Sequence, residues 1–203
     1  MGGAVRRPHT RLEQRTARAG HQGKKNDGTG ENAAVTVKES VNYTLRPIKC
    51  DELDAAHRLE LACYTPEAAA SREAFAFRQK HFPGYFWSAW QGGELIGLCC
   101  GVLSSESSCE NDAVKSAHSE DIDGKHLVVL SVAVDPDRRL GGVGTALMKA
   151  LLRQAEFDRL QSVALMCEPH LIAFYEGLGF EYIGVSASQH GGIEWHEMRR
   201  VIG

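Results

Sequence analysis

HLVVLSVAVDPDRRLGGVGTALMKALL, residues His126 to Leu152, places a strand, a turn and a helix in immediate succession. From Leu127 to Val134 the residues are almost all apolar and rich in β-branched valine, the composition of a strand covered on both faces. Pro136 ends it, having no N–H to give to a ladder. After Arg138 and Arg139 come Gly141, Gly142 and Gly144, and then Leu147, Met148, Leu151, Leu152 and Ala155 at the three- and four-residue spacing of an amphipathic helix. The first turn of a helix leaves backbone N–H groups unpaired, and glycines let a ligand approach them closely. This predicts an anion site, most naturally for a pyrophosphate.

The letters around the glycines narrow the ligand. A Walker loop needs Lys and Ser/Thr after its last glycine, whereas Gly144 is followed by Thr145 and Ala146. A dinucleotide fingerprint needs G-x-G-x-x-G, which GGVG does not supply. The pattern that fits is R-x-x-G-x-G/A, carried by Arg139, Gly142 and Gly144. It resembles the acetyl-coenzyme A loop of the GNAT superfamily of N-acetyltransferases. Downstream, ALMCEPHLIAFYEGLGFEYIG at 164–184 is similar to a second signature of that superfamily: a strand, a short helix carrying Phe-Tyr, then Gly-Phe opening the next strand. The wording MCE, FY, G-F and HEM at His196 to Met198 resembles the arylalkylamine (serotonin) N-acetyltransferases, and the likeness runs from about Leu45 to Met198.

The resemblance implies an α/β (α+β) GNAT fold: a mixed central sheet with splayed parallel strands, helices on both faces, and the coenzyme's pantetheine arm in the gap. It implies direct transfer, in a ternary complex, from acetyl-CoA to the primary amine of an arylalkylamine such as serotonin, tryptamine or phenylethylamine, with no metal. Leu140, Gly141, Gly142, Val143, Gly144 and Thr145 would hold the pyrophosphate through backbone N–H groups, with Arg139 adding charge. Val132, Ala133 and Val134 would offer main chain to the pantetheine and acetyl groups, so apolar letters there are compatible with function. Tyr175 corresponds to a residue beside the coenzyme sulfur, where a phenol can protonate the leaving thiolate. Met166 and Leu130 would border the acceptor pocket.

The proton acceptor is where this sequence departs from the pattern. The vertebrate enzymes show H-x-H in the central strand, and those positions are Val128 and Leu130 here. A primary amine is almost fully protonated at neutral pH, so the missing imidazoles matter. His126 stands two residues further back with the same strand parity and is the expected replacement, acting directly or through water. Glu168 and water wires alone are the other candidates. Cys167 raises the option of an acetyl-enzyme, but the resemblance implies direct transfer and a core thiol. A polyamine or protein-lysine acetyltransferase is the alternative enzyme, and a low-turnover acyl-CoA-binding regulatory module is the alternative outside enzymes.

With 203 residues there is chain for one domain with a sizeable core. No apolar run reaches membrane-spanning length and no signal-peptide core follows Met1, so no membrane association and a cytoplasmic setting are expected. Six scattered cysteines lack both a CxxC pair and zinc-ligand spacing, so reduced thiols are expected. The net charge of −3 conceals eight Lys/Arg against four Asp/Glu in residues 1–40, about +4, leaving about −7 for the remainder. An acidic body argues against a nucleic-acid partner and suits a small cationic amine.

Residues 1–40 are polar with no apolar period and read as a disordered basic tail, leaving 41–203 as the N-acetyltransferase domain. The tail admits two further readings. Scarce acids before Asp27 suit an organelle transit peptide. Arg6, Arg7 and Thr10 in RRPHT are similar to an RRHT-like phosphosite of the vertebrate enzymes, which implies a phospho-dependent adaptor. Next, VNYTLRPI predicts a first strand, Asp51 a helix through Leu61, and Thr65-Pro66 a second helix to about Lys80. Phe75, Phe77, Phe82, Tyr85 and Phe86 are set to wall an aromatic pocket or to pack as core. Gly92-Gly93 joins a hairpin. Ser104 to Lys125 is a polar loop whose Glu106, Glu110, Asp112, Glu120, Asp121 and Asp123 attract an amine or simply face solvent. The last strand is expected over Ile193 to Arg200.

Overall fold

A computed structural model describes residues 42–109, 121–188 and 190–203. The readings made on the tail, including Arg6, Arg7 and Thr10, and on Glu110, Asp112 and Glu120 lie outside the described residues. Seven strands form a sheet: β1 Thr44–Pro47, β2 Phe86–Gln91, β3 Glu94–Ser104, β4 His126–Val134, β5 Ser162–Cys167, β6 Glu181–Val185 and β7 His196–Val201, in the order β1-β2-β3-β4-β5-β7-β6. The helices are α1 Leu53–Cys63, α2 Arg72–His81, α3 Val143–Phe157 and α4 Ile172–Glu176. This is the mixed α/β architecture expected of a GNAT fold.

The strand read from Leu127 to Val134 is β4, and its neighbours explain its apolarity. It pairs antiparallel with β3 and parallel with β5, so both edges and both faces are covered. The parallel pairing covers four rungs, from His126 opposite Ser162 to Val129 opposite Leu165. Beyond Val129 the two strands separate, although β4 runs on to Val134 and β5 to Cys167. A β-bulge lies at the point of divergence: Ser131 faces Cys100 and Val129 faces Gly101, so Leu130 is the extra residue. Gly101 makes the bulge possible, because a Cβ there would lie 2.5 Å from the Val128 carbonyl oxygen.

Alternation along β3 divides the core between the two faces. Leu98 and Cys100 join Leu53, Ala56, Leu59, Phe75 and Phe86 beneath α1 and α2. Cys99 faces Leu147, Met148 and Leu151 of α3. Gly97 lets α3 dock closely, since a side chain there would strike Val143 and Leu147. The hairpin turn at Gly92 and Gly93 is present, both at positive φ.

Several expected boundaries move: the first strand narrows to Thr44–Pro47, and the first helix has Glu52 rather than Asp51 as its N-cap and runs to Cys63. The second helix begins at Arg72, not Thr65, because Ser71 is the N-cap and accepts from the Ala74 N–H at 3.1 Å. The Thr65 carbonyl closes a separate turn by accepting from Ala68 and Ala69. The last strand begins at His196, because Trp195 first turns back to donate to the His190 carbonyl. Among the described residues no helix is long and apolar enough to cross a membrane, and the cysteines are free thiols.

Candidate active site

The gap between β4 and β5 opens into a cleft of about 280 Å³. Its floor is the strand pair itself, Val128 to Val132 on one side and Leu165 with Met166 on the other. α1, the following turn and α2 roof it with Glu60, Tyr64, Ala68 to Ala70, Ala74 and Arg78, and Tyr175 and Trp195 complete the wall. Leu130 and Met166, the expected acceptor-side residues, therefore face this space.

The donor end follows from backbone geometry. Asp135 N–H donates to the Ile96 carbonyl at 3.0 Å, and alternation from that bond turns Ala133 toward β3 and Val132 and Val134 toward the gap. Two of the three expected main-chain positions thus present polar groups to the gap; Ala133 is engaged with β3. The Val132 carbonyl accepts from the Tyr64 hydroxyl at 2.8 Å, and the Val134 carbonyl accepts from Cys63 Sγ at 3.4 Å and Arg139 Nε at 3.4 Å. Arg139 is thereby held at the strand's open end.

Gly142 stands in the left-handed region with φ 78° as the N-cap of α3, and no side chain caps the helix. Leu140, also at positive φ, is fully exposed beside it, and Gly141 is exposed. An uncapped first turn, a Cβ-free rim and an adjacent guanidinium fit a pyrophosphate. A Cβ on Gly144 would meet Val134 Cγ2 at 3.6 Å and Phe174 at 3.7 Å, ordinary contacts that strain nothing but reach into the mouth between α3 and α4. Gly144→Val, with a side chain larger than the Gly or Ala that the R-x-x-G-x-G/A pattern admits, is therefore expected to leave Tm close to wild type, the helix-propensity difference being under about 0.5 kcal/mol, while weakening acetyl-CoA binding about tenfold or more. Calorimetric titration beside a thermal melt checks both; unchanged affinity would exclude Gly144 from the coenzyme site.

Tyr175, on α4, is buried with its ring packed edge-on to Phe174 and Phe180. Among the described residues its hydroxyl has no hydrogen-bond partner, and the side chain lines the cleft. Burial raises its pKa well above the usual phenol value, with the nearby Tyr64 adding to the shift, so it holds its proton at any working pH.

His126 is not brought to the cleft. It lies at the closed end of the parallel pair, its Nδ1 2.7 Å from Ser162 Oγ, roughly 13 Å before Leu130 at the usual rise per residue. Burial, and then Arg199, lower its pKa. Strand parity was sound as far as it went, but parity carries no information about depth along the strand. Glu168 is also outside the cleft lining, half-buried beside His170. The phenylalanines fail as a pocket wall too: Phe75, Phe82, Tyr85 and Phe86 are buried in the core and Phe77 packs against it, while the cleft's aromatic residues are Tyr64, Tyr175 and Trp195.

Glu60 was missed. It is 2 % exposed on the buried stripe of α1, and Oε1 accepts from Ser131 Oγ at 2.9 Å and the Ala70 N–H at 3.1 Å. Its Oε2 is buried with no partner. Desolvation raises its pKa, against the lowering effects of those two hydrogen bonds and of Arg78. Arg78, 6 % exposed on the buried stripe of α2, lies over the Phe75 ring and reaches Cys100 Sγ. Both residues were legible by spacing: Leu53, Ala56, Glu60 and Cys63 fall on one helical face, as do Ala74, Phe75 and Arg78. Among the described residues no cluster of His, Cys, Asp or Glu could hold a metal.

A splayed parallel pair whose open edge leads to an uncapped, glycine-bearing helix start, with a phenol at the junction, defines an acyl-coenzyme A-dependent transferase. Residues 53–180 match the acetyltransferase (GNAT) family, and the chain belongs to it. Solved structures agree on the fold. The ribosomal-protein-S18-alanine N-acetyltransferase of Escherichia coli is 20 % identical, with a TM-score of 0.61 over 80 % of this chain and 95 % of that one. A phosphinothricin acetyltransferase of Sinorhizobium meliloti, solved with AcCoA, is 19 % identical at a TM-score of 0.58, over 79 % and 89 %. The GNAT-like decarboxylase GphF, solved with isobutyryl-CoA, is 18 % identical at 0.67, over 79 % and 100 %. No curated protein sequence matches the chain.

Proposed function

We propose that the protein transfers acetyl from acetyl-CoA to a small primary amine carrying an aromatic or apolar body, the arylalkylamine class. One observation carries this reading: Ala68, Ala69, Ala70, Ala74, Leu130, Met166 and Trp195 line the cleft around the Glu60 carboxylate, with Arg78 and His190 also on its lining. Small apolar walls leave room for a ring and reward its burial at about 25 cal/mol per Å², while the carboxylate attracts the ammonium end.

Acetyl-CoA supplies an activated thioester carbonyl. The first turn of α3 and Arg139 hold its anionic end, and the gap-facing groups of Val132 and Val134 line the path to the carbonyl. Tyr175, kept protonated by burial, donates to the thiolate as it departs. Neither Cys167, buried in β5, nor any other thiol is needed, because donor and acceptor meet in one cleft.

The test is coenzyme A thiol release by the purified protein with arylalkylamines, polyamines and a lysine peptide, from about pH 6 to pH 9. Preferential turnover of aromatic amines is expected. Preference for polyamines or the peptide would overturn the aromatic acceptor, and coenzyme binding without release to any amine would favour a regulatory module.

A further inference from the structure

We propose that the Glu60 carboxylate, delivered by α1, is the catalytic proton acceptor for the incoming amine, in the role a strand imidazole was expected to fill. The assignment rests on the amine-acetylating reading above. It stands on geometry that a structural carboxylate would not have. A buried carboxylate oxygen without a donor costs free energy, and cores rarely keep one. Glu60 keeps one beside the cleft, while its other oxygen is fixed from two directions by Ser131 on β4 and by the Ala70 amide in the turn before α2. Those two bonds set the orientation of the carboxylate and leave Oε2 as its free acceptor. Ser131 follows the bulged Leu130, so the bulge that opens the gap also carries the residue that aims the base.

An ammonium entering the apolar cleft would give Oε2 its missing donor. The nitrogen loses a proton to Oε2 and its freed pair attacks the acetyl carbonyl, forming the C–N bond. On collapse the C–S bond breaks, Tyr175 gives its proton to the thiolate, and the second proton shed by nitrogen restores the phenol. The proton held by Glu60 leaves to solvent, so one thiol, one amide and one proton are produced. The charged and titratable groups facing Glu60 are Arg78 from α2, Tyr64 and Cys63 from α1, and Cys100 from β3, with Tyr175 and His190 on the lining of the same cleft. Burial raises the pKa of Glu60, and Arg78, whose hydrogen bond goes to Cys100, opposes that shift through its charge alone.

Glu60→Gln retains an acceptor for Ser131 and Ala70 and exchanges the free, charged Oε2 for an uncharged amide nitrogen that cannot accept a proton. The expected result is a loss of kcat of about 10²- to 10³-fold, acetyl-CoA affinity within about twofold of wild type, and loss of the rising limb of the kcat/KM pH profile. Tm near neutral pH should be unchanged or higher. The direction follows from linkage: burial places the folded pKa of Glu60 above its ordinary 4.5, so its stabilising contribution is present below that value and is lost as pH rises through the folded pKa. A wild-type rate with the rising limb intact would overturn the role. So would a lower Tm with kcat changed in proportion to the folded fraction, since that marks a structural residue. If the wild-type protein acetylates no amine, the acceptor reading fails and Glu60 as its base fails with it; turnover by wild type with an indifferent Gln variant defeats the Glu60 assignment alone.

Discussion

Tyr175→Phe is expected to lower kcat by about 10²-fold or more while leaving acetyl-CoA affinity and Tm at wild-type values. The ring does the packing, tilted edge-on at 4.9 Å from Phe174 and 5.8 Å from Phe180, and phenylalanine preserves those contacts. The hydroxyl does none, having no partner among the described residues, so its removal orphans nothing. What disappears is the hydroxyl proposed as proton donor, which burial holds in its acid form. Single-turnover acetyl transfer separates the chemical step from product release, and equilibrium titration gives the affinity. A variant that transfers acetyl at the wild-type rate would remove Tyr175 from the reaction.

The second large effect is on stability. Gly101→Ala is expected to destabilise the protein by about 3 kcal/mol, the upper part of the usual range for overpacking. The new Cβ would stand 2.5 Å from the Val128 carbonyl oxygen and 2.9 Å from Leu127 Cδ1. The leucine can rotate away, whereas the carbonyl belongs to β4 at the edge of the bulge and cannot. β3 and β4 must separate there, shifting Leu130 and Ser131 and disturbing the cleft edge before the protein unfolds. Urea unfolding followed by far-UV circular dichroism measures the loss, and a change below about 1 kcal/mol would show that the strands yield easily at the bulge.

The parts of this structure legible in sequence are those fixed by neighbours along the chain. The β4, glycine turn and α3 succession, the Gly92-Gly93 hairpin and the placement of Tyr175 on a short helix each depend on a few consecutive residues. The start of α2 was misplaced because Thr65-Pro66 and Ser71 are both good local starts, and the choice was made by the buried face of α2, which begins at Ala74. His126 was misplaced for a different reason: a nine-residue strand is uniform in its letters, but only its latter half leaves β5. The phenylalanines of α2 and its flank were ambiguous because a pocket wall and a core use the same side chains. Glu60 and Arg78 could have been found, since each breaks an apolar helical stripe, and a charge on a buried stripe asks for an explanation.

The gap edge of β4 has a consequence for how such chains diverge. Val132 and Val134 turn carbonyls toward the gap, and any β-forming residue at those positions would do the same. Along that edge of β4, what matters is what shapes the main chain: the bulge, Gly101 beneath it, and the left-handed Gly142 at the start of α3. The acceptor end is written in side chains on α1, α2 and the turn between them. Those letters can change without touching the main-chain edge of β4. Chains of this fold can then differ at four positions in five or more, at 13–20 % identity, and still superpose.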